Sequence, residues 1–211
     1  GGAIALDRLA YNNEIYNNTL TGTKSTQANG YSNHIHHNIF KDTKRRTGYY
    51  NEGMGIAFQN YAGTSHDNIV ENNVFDGCSN SGVEFMGSNS GTVYGHIVRN
   101  NIMINCGLDN NNYGMTFITD GTFADNNTIQ NCRVQRDDIN LKADRSAFQL
   151  FNNYENNVTI KNTKILNNEV YNFNDAFQSI RQGTNTTGIN YEGTIVDSNC
   201  FSTSIKFWKV G

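Results

Sequence analysis

The chain has 211 residues, enough for one domain with a sizeable core. Its net charge of −3 excludes the basic face of a nucleic-acid binder, and no apolar run approaches membrane-spanning length. A charged fraction of 17% with a mean hydropathy of −0.60 excludes a charged disordered tail and leaves a chain rich in Asn (36) and Gly (20) and without Pro. Proline removes a ladder donor, so its absence suits a chain made mostly of paired backbone.

Taken in chain order, one short pattern recurs: a β-branched residue, a variable residue, two polar residues, a variable residue and an apolar one. Its copies begin at Ile15, Ile35, Val70, Val98, Ile129, Ile165 and Val196. The second polar position of each copy falls at 18, 38, 73, 101, 132, 168 and 199, and six of these seven anchors are Asn. The intervals are 20, 35, 28, 31, 36 and 31 residues. A second element precedes every anchor except the second. It reads Ile4-Ala5-Leu6, Ile56-Ala57-Phe58, Val83-Glu84-Phe85, Met115-Thr116-Phe117, Phe148-Gln149-Leu150 and Phe177-Gln178-Ser179, and Ile205-Lys206-Phe207 begins an eighth turn. These are period-2 patterns, with Gly55, Gly82 and Gly114 ahead of three of them as turn residues.

The repeat predicts an all-β solenoid of about seven coils in one domain, residues 1–211. Each coil holds a first strand, a loop, a second strand, an Asn corner, a third short strand and another loop. No segment carries a sustained helical stripe. Asn is the side chain that best tolerates left-handed backbone, and its amide can bond the Asn one coil away to form a corner ladder.

The Asn corner ladder (Asn18, Asn38, Asn73, Asn101, Asn168, Asn199) and the stacked inward Ile, Val and Phe resemble the right-handed parallel β-helix superfamily typified by pectate lyases. The resemblance implies a protein that acts on or binds long sugar chains, located outside the cell, on its surface or on a virion. The superfamily spans polysaccharide lyases, glycoside hydrolases, epimerases, phage tailspikes and adhesins, so the fold does not choose among them. The chain starts on a first strand and stops on the same strand seven coils later without a capping helix. The expected partners are therefore a polysaccharide and either the rest of a longer chain or copies of itself in an oligomer such as a trimer. The chain begins Gly1-Gly2 with no signal peptide in view.

In such proteins the polymer lies along the outside of the first strand. The outward positions there are Ala5, Ala57, Glu84, Thr116, Gln149, Gln178 and Lys206, followed by Asp7, Gln59, Met86, Ile118, Phe151, Ile180 and Trp208. Glu84 is the one carboxylate of the first column and is the candidate general acid or base, or a calcium ligand. Gln59, Asp120, Gln149 and Gln178 are candidate sugar contacts. Asp120 ends the next coil's first strand, about 13 Å along an extended chain from the level of Glu84, too far for a hydrolase pair. The resemblance also implies a Lys or Arg base for a lyase, with calcium neutralising the uronate; Lys142, Arg145 and Arg181 are the candidates, but no complete lyase set is visible. The segment Lys41–Tyr50 adds Lys44, Arg45 and Arg46 for anionic groups, and Tyr49 and Tyr50 for stacking on sugar rings.

His34, His36 and His37 cluster around one corner. His37 is read as a substitute for a ladder Asn, so a structural role is expected there and no metal site is assigned. His66 is a weaker acid-base candidate. Cys78 and Cys106 occupy equivalent positions and are expected as buried thiols rather than a bridge, and no CxxC spacing suggests zinc. Among the sequons, Asn17 is expected to be inaccessible in the ladder. The competing functions are a lyase or hydrolase, a non-catalytic carbohydrate- or receptor-binding module, and a structural fibre segment.

Overall fold

The computed structural model describes residues 4–44, 52–60, 63–87, 91–107, 115–119, 124–125, 128–130, 133–135, 146–153, 159–171, 175–182, 190–201 and 206–210. All described regular structure is β, and every strand pair is parallel. The strands stack into four sheets of eight, five, seven and seven strands, each built from one strand per coil in chain order. This is a parallel β-helix.

The coil has one more strand than the repeat suggests. The first sheet comprises Ala5–Leu6, Thr26–Ala28, Ile56–Asn60, Val83–Gly87, Met115–Thr119, Ser146–Asn153, Asp175–Gln182 and Lys206–Val210. The second comprises Gly63–His66, Gly91–Tyr94, Ala124–Asp125, Thr159–Lys161 and Asn190–Glu192, where a loop was expected. Their sequences are too short and polar to read as strands. The same holds for Thr26–Ala28, which supplies the first strand missing from the second coil and pairs Gln27 with Ala5 and Ala57. The last coil is also shifted: Lys206 pairs with Asp175, and Gln178 pairs with Lys209, so Trp208 shares the register of Phe177 rather than Ile180.

The third sheet runs Glu14–Tyr16, His34–His36, Ile69–Glu71, Ile97–Arg99, Thr128–Gln130, Lys164–Leu166 and Ile195–Asp197. A three-residue strand sends its middle side chain one way and its outer two the other. Ile35, Val70, Val98 and Ile165 are thereby fully buried in one column. The fourth sheet repeats this with Leu20, Phe40, Phe75, Met103 and Val170. Phe40 and Phe75 stack with centroids 4.9 Å apart, and Phe58 and Phe85 do so at 5.1 Å.

The corner between these two sheets divides its work between two residues. The first takes left-handed backbone: Asn17, His37, Asn72, Asn100, Asn167 and Ser198 all have φ of 53–56°. The second sends its amide along the stack. Asn38 donates from its backbone N and Nδ2 to Asn73 Oδ1 at 2.9 and 3.1 Å, and Asn73 does the same to Asn101 Oδ1 at 2.9 and 3.0 Å. His37 therefore replaces the left-handed residue, not the ladder amide, which is Asn38. Asn17 is likewise exposed rather than enclosed.

A second ladder stands five residues upstream at the entrance to the third sheet. Asn13 donates to Asn33 Oδ1, and Asn33 to Asn68 Oδ1, at 2.9 and 3.0 Å. Asn68 backbone N–H then donates to Nδ1 of His96 at 3.3 Å. His96 is wholly buried against Phe58, and burial pushes its pKa down to about 3.

Gly55 is required by close approach rather than by a turn. A Cβ there would lie 2.3 Å from the Phe75 ring and 2.7 Å from the Gly82 carbonyl. Cys78 and Cys106 are buried free thiols, and burial beside Cys78 raises the pKa of Cys106.

Candidate functional site

The outer side of the first sheet changes along the stack. Ala5 and Gln27 are exposed, but Ala57 and Glu84, in the same column, are 0% and 3% exposed. Alternation sets both opposite the inward Phe58 and Phe85, yet neither is open to water. Glu84 is thus an enclosed carboxylate, where an open-groove residue was expected. Its register neighbours are Ala57 and Thr116.

The other predicted residues scatter around it. Gln59 pairs with Met86, and Gln149 lies between Thr116 and Gln178 in the Glu84 column. Arg181 pairs with Asn152. Lys44 is exposed, its N–H donating to Thr23 O at 2.7 Å. Thr43 donates to Gly53 O at 2.6 Å, and Ser25 Oγ accepts from the N–H groups of Gly53 and Met54 at 3.1 and 3.2 Å. The two stems of the basic-aromatic segment are therefore pinned together on the second coil. Arg45, Arg46, Tyr49, Tyr50, Asp120, Lys142 and Arg145 lie outside the described residues.

A different cluster occupies the outer face of the third sheet. Flanking the buried Ile and Val column are two outward columns, Glu14–His34–Ile69–Ile97 and Tyr16–His36–Glu71–Arg99. Their side chains cross-link adjacent coils. His36 Nε2 lies 2.8 Å from Glu14 Oε1, and His34 Nε2 lies 2.8 Å from Glu71 Oε1. A carboxylate only accepts, so each Nε2 carries the proton. Arg99 donates to the other oxygen of Glu71 at 2.6 Å, and this bond above all holds the Glu71 carboxyl below its usual pKa. His36 Nδ1 lies 2.7 Å from His37 Nδ1, one of the two carrying a proton for the other. The His34 and His36 rings are 4.1 Å apart, and Tyr16 stacks on His36 at 5.3 Å. One ligating atom from each of Glu14, His34 and His36 lies within 4.8 Å of the others.

The grouping of the three histidines was legible in sequence, but not their carboxylate partners. Reading the positions on either side of each inward Ile or Val as columns would have paired them.

Next to this face a ladder of rings runs along the second sheet. Tyr11, Tyr31, His66 and Tyr94 stack in turn at 5.0–5.1 Å and within 8° of parallel. Neighbouring rings occupy one another's faces, so the internal members offer edges to a ligand rather than the faces that sugar stacking uses. His66 Nδ1 is bonded to Asp67 at 2.8 Å.

The family model described as disaggregatase related matches residues 7–134. That span contains Glu84 and the whole Glu14–His34–His36–Glu71–Arg99 cluster, whereas Lys142, Arg145, Gln149, Gln178 and Arg181 fall beyond it. No curated protein and no solved structure matches the chain. The matched span covers more than half of the chain, and the chain belongs to the disaggregatase-related family.

Proposed function

We propose that the chain acts on an extracellular polysaccharide, with the polymer along the first sheet and Glu84 as the acid-base group. The observation that carries this reading is the enclosure of Glu84. A glutamate on the outer side of a sheet ordinarily stands in water, and here at mid-stack it is 3% exposed, the setting in which acid-base carboxylates are found. The family's description, disaggregatase related, fits an agent that loosens material held together by polymers. The Thr116, Gln149 and Gln178 positions continue the column with hydrogen-bonding residue types.

The form of the chemistry is narrowed by the register. A hydrolase needs two carboxylates flanking the bond, and the neighbours of Glu84 in register are Ala and Thr. A lyase needs a single base and a group that neutralises the uronate, which suits one carboxylate with a cation from Lys142, Arg145 or Arg181. Calcium would need six to eight oxygens. The same register supports a second reading, a module of the cell surface or extracellular matrix that binds the polymer without cleaving it.

The test is incubation with uronic-acid and neutral polysaccharides, with and without calcium, following unsaturated products and reducing ends together. Unsaturated products that Glu84→Gln reduces at least a hundredfold are expected. Binding without products from any substrate would favour the second reading, and neither binding nor products would overturn both.

A further inference from the structure

We propose that Glu14, His34 and His36 form a site for a divalent transition-metal ion of the zinc type, on the outer face of the third sheet across the first two coils. His34 and His36 stand two apart on one strand, so both rings project from the same face. Glu14 projects beside them from the strand of the preceding coil, in register with His34. Two imidazoles and one carboxylate make a set that zinc accepts and that calcium, which takes oxygens, does not.

The alternative is a pair of surface histidine–carboxylate contacts, each worth about 0–1 kcal/mol. Two observations favour the metal. First, the three ligating atoms already converge within 4.8 Å. Tetrahedral zinc with bonds of about 2.0–2.2 Å sets its ligands about 3.4 Å apart, a contraction that side-chain rotation can supply. Second, each ring is held from behind by a partner that a simple ion pair does not need. Glu71, itself fixed by Arg99 at 2.6 Å, takes the Nε2 proton of His34 and leaves Nδ1 as the lone pair for a metal. His37 faces Nδ1 of His36, ready to accept the proton when Nε2 turns to a metal in place of Glu14. Ligating histidines are characteristically oriented this way. His37 reaches that position because the corner holds it at φ 54°.

The side chain of Glu14 is 58% exposed, so the metal faces solvent. Three protein ligands leave a fourth position for water or for an oxygen of a bound anion, the open arrangement rather than the closed structural one.

The test uses the full chain, stripped with a chelator and titrated with Co2+ and then Zn2+. Calorimetry and the visible band of four-coordinate cobalt are the readouts. One equivalent is expected to bind, with zinc displacing cobalt. Glu14→Gln, His34→Asn and His36→Asn are each expected to weaken binding at least tenfold, and Glu71→Gln about 10–100-fold through His34. His66→Gln, on the second sheet, should bind like the parent. Glu14→Gln keeps the test decisive if a histidine variant fails to fold, since Glu14 is exposed. No stoichiometric binding, unchanged affinity in Glu14→Gln, or equal loss in His66→Gln would overturn the site.

Discussion

The third sheet and the first sheet are built from the same stack yet obey different rules. Every strand of the third sheet has three residues. Strands of the first sheet run from two residues at Ala5–Leu6 to eight at Ser146–Asn153 and Asp175–Gln182. The reason lies in the corners. In the first three coils two amide ladders, five residues apart, flank the third sheet at both ends. The first sheet meets no such clamp, and the changes in coil length fall around it. One side of the coil is thus a fixed ruler and the other a place for variation. Glu84 belongs to the variable side, and the Glu14–His34–His36 cluster to the ruler, where rigid strands hold side chains in constant relation.

Three substitutions probe the fixed side. Val98→Asp should have the largest effect. It buries an unpaired charge in a column with no exposure, and a loss of roughly 4 kcal/mol or more is expected, read as a lost unfolding transition or a much lower midpoint. An unchanged melt would refute the inward assignment of the column. Asn73→Ala comes next. It removes the acceptor for both Asn38 donors and the donor to Ile35 O, leaving buried backbone groups without partners. About 2–4 kcal/mol should be lost in chemical denaturation. If the cost is only a few tenths, the ladders do not clamp the sheet.

The effect that is smallest at neutral pH is the most specific. His96 stands in the upstream ladder where Asn13, Asn33 and Asn68 stand in the preceding coils. Its folded pKa of about 3 lies below the ordinary 6.5. Between these values the unfolded chain takes up a proton that the folded chain refuses. Its contribution to stability is therefore whole above about pH 6.5 and declines as pH falls toward 3, at about 1.4 kcal/mol per pH unit. His96→Asn should remove that slope, so parent and variant should diverge in denaturant midpoint as the solution is acidified. Parallel pH profiles would show that the ring is not held neutral.

The same division explains what could be read in advance. Inward columns were legible because the corner fixes their spacing. Ile15, Ile35, Val70 and Val98 recur at one offset from each anchor, and that offset is a steric fact. The second sheet was not legible, because strands such as Gly63–His66 bury little beyond Ser65 and are paired by their neighbours rather than by their own pattern. The upstream ladder left a signal, a polar residue five before each anchor, hidden by the replacement of Asn with His96, Thr163 and Thr194. Glu84 was picked out as the one carboxylate of its column, but its low exposure had no mark in the sequence. The shift of the last coil had no local mark at all.

The amide ladders also have a direction. Asn13, Asn18, Asn33, Asn38, Asn73 and Asn168 each donate to the following coil. In the links from Asn38, Asn73 and Asn168 a backbone N–H shares the same acceptor oxygen, which fixes which end of the amide is which. The small dipoles therefore add rather than cancel, and neighbours in such chains polarise one another. Among the described links each accepting oxygen faces the first coil, so that end of each run is its negative pole. The Glu14–His34–His36 cluster stands in the first two coils, at that oxygen-facing end.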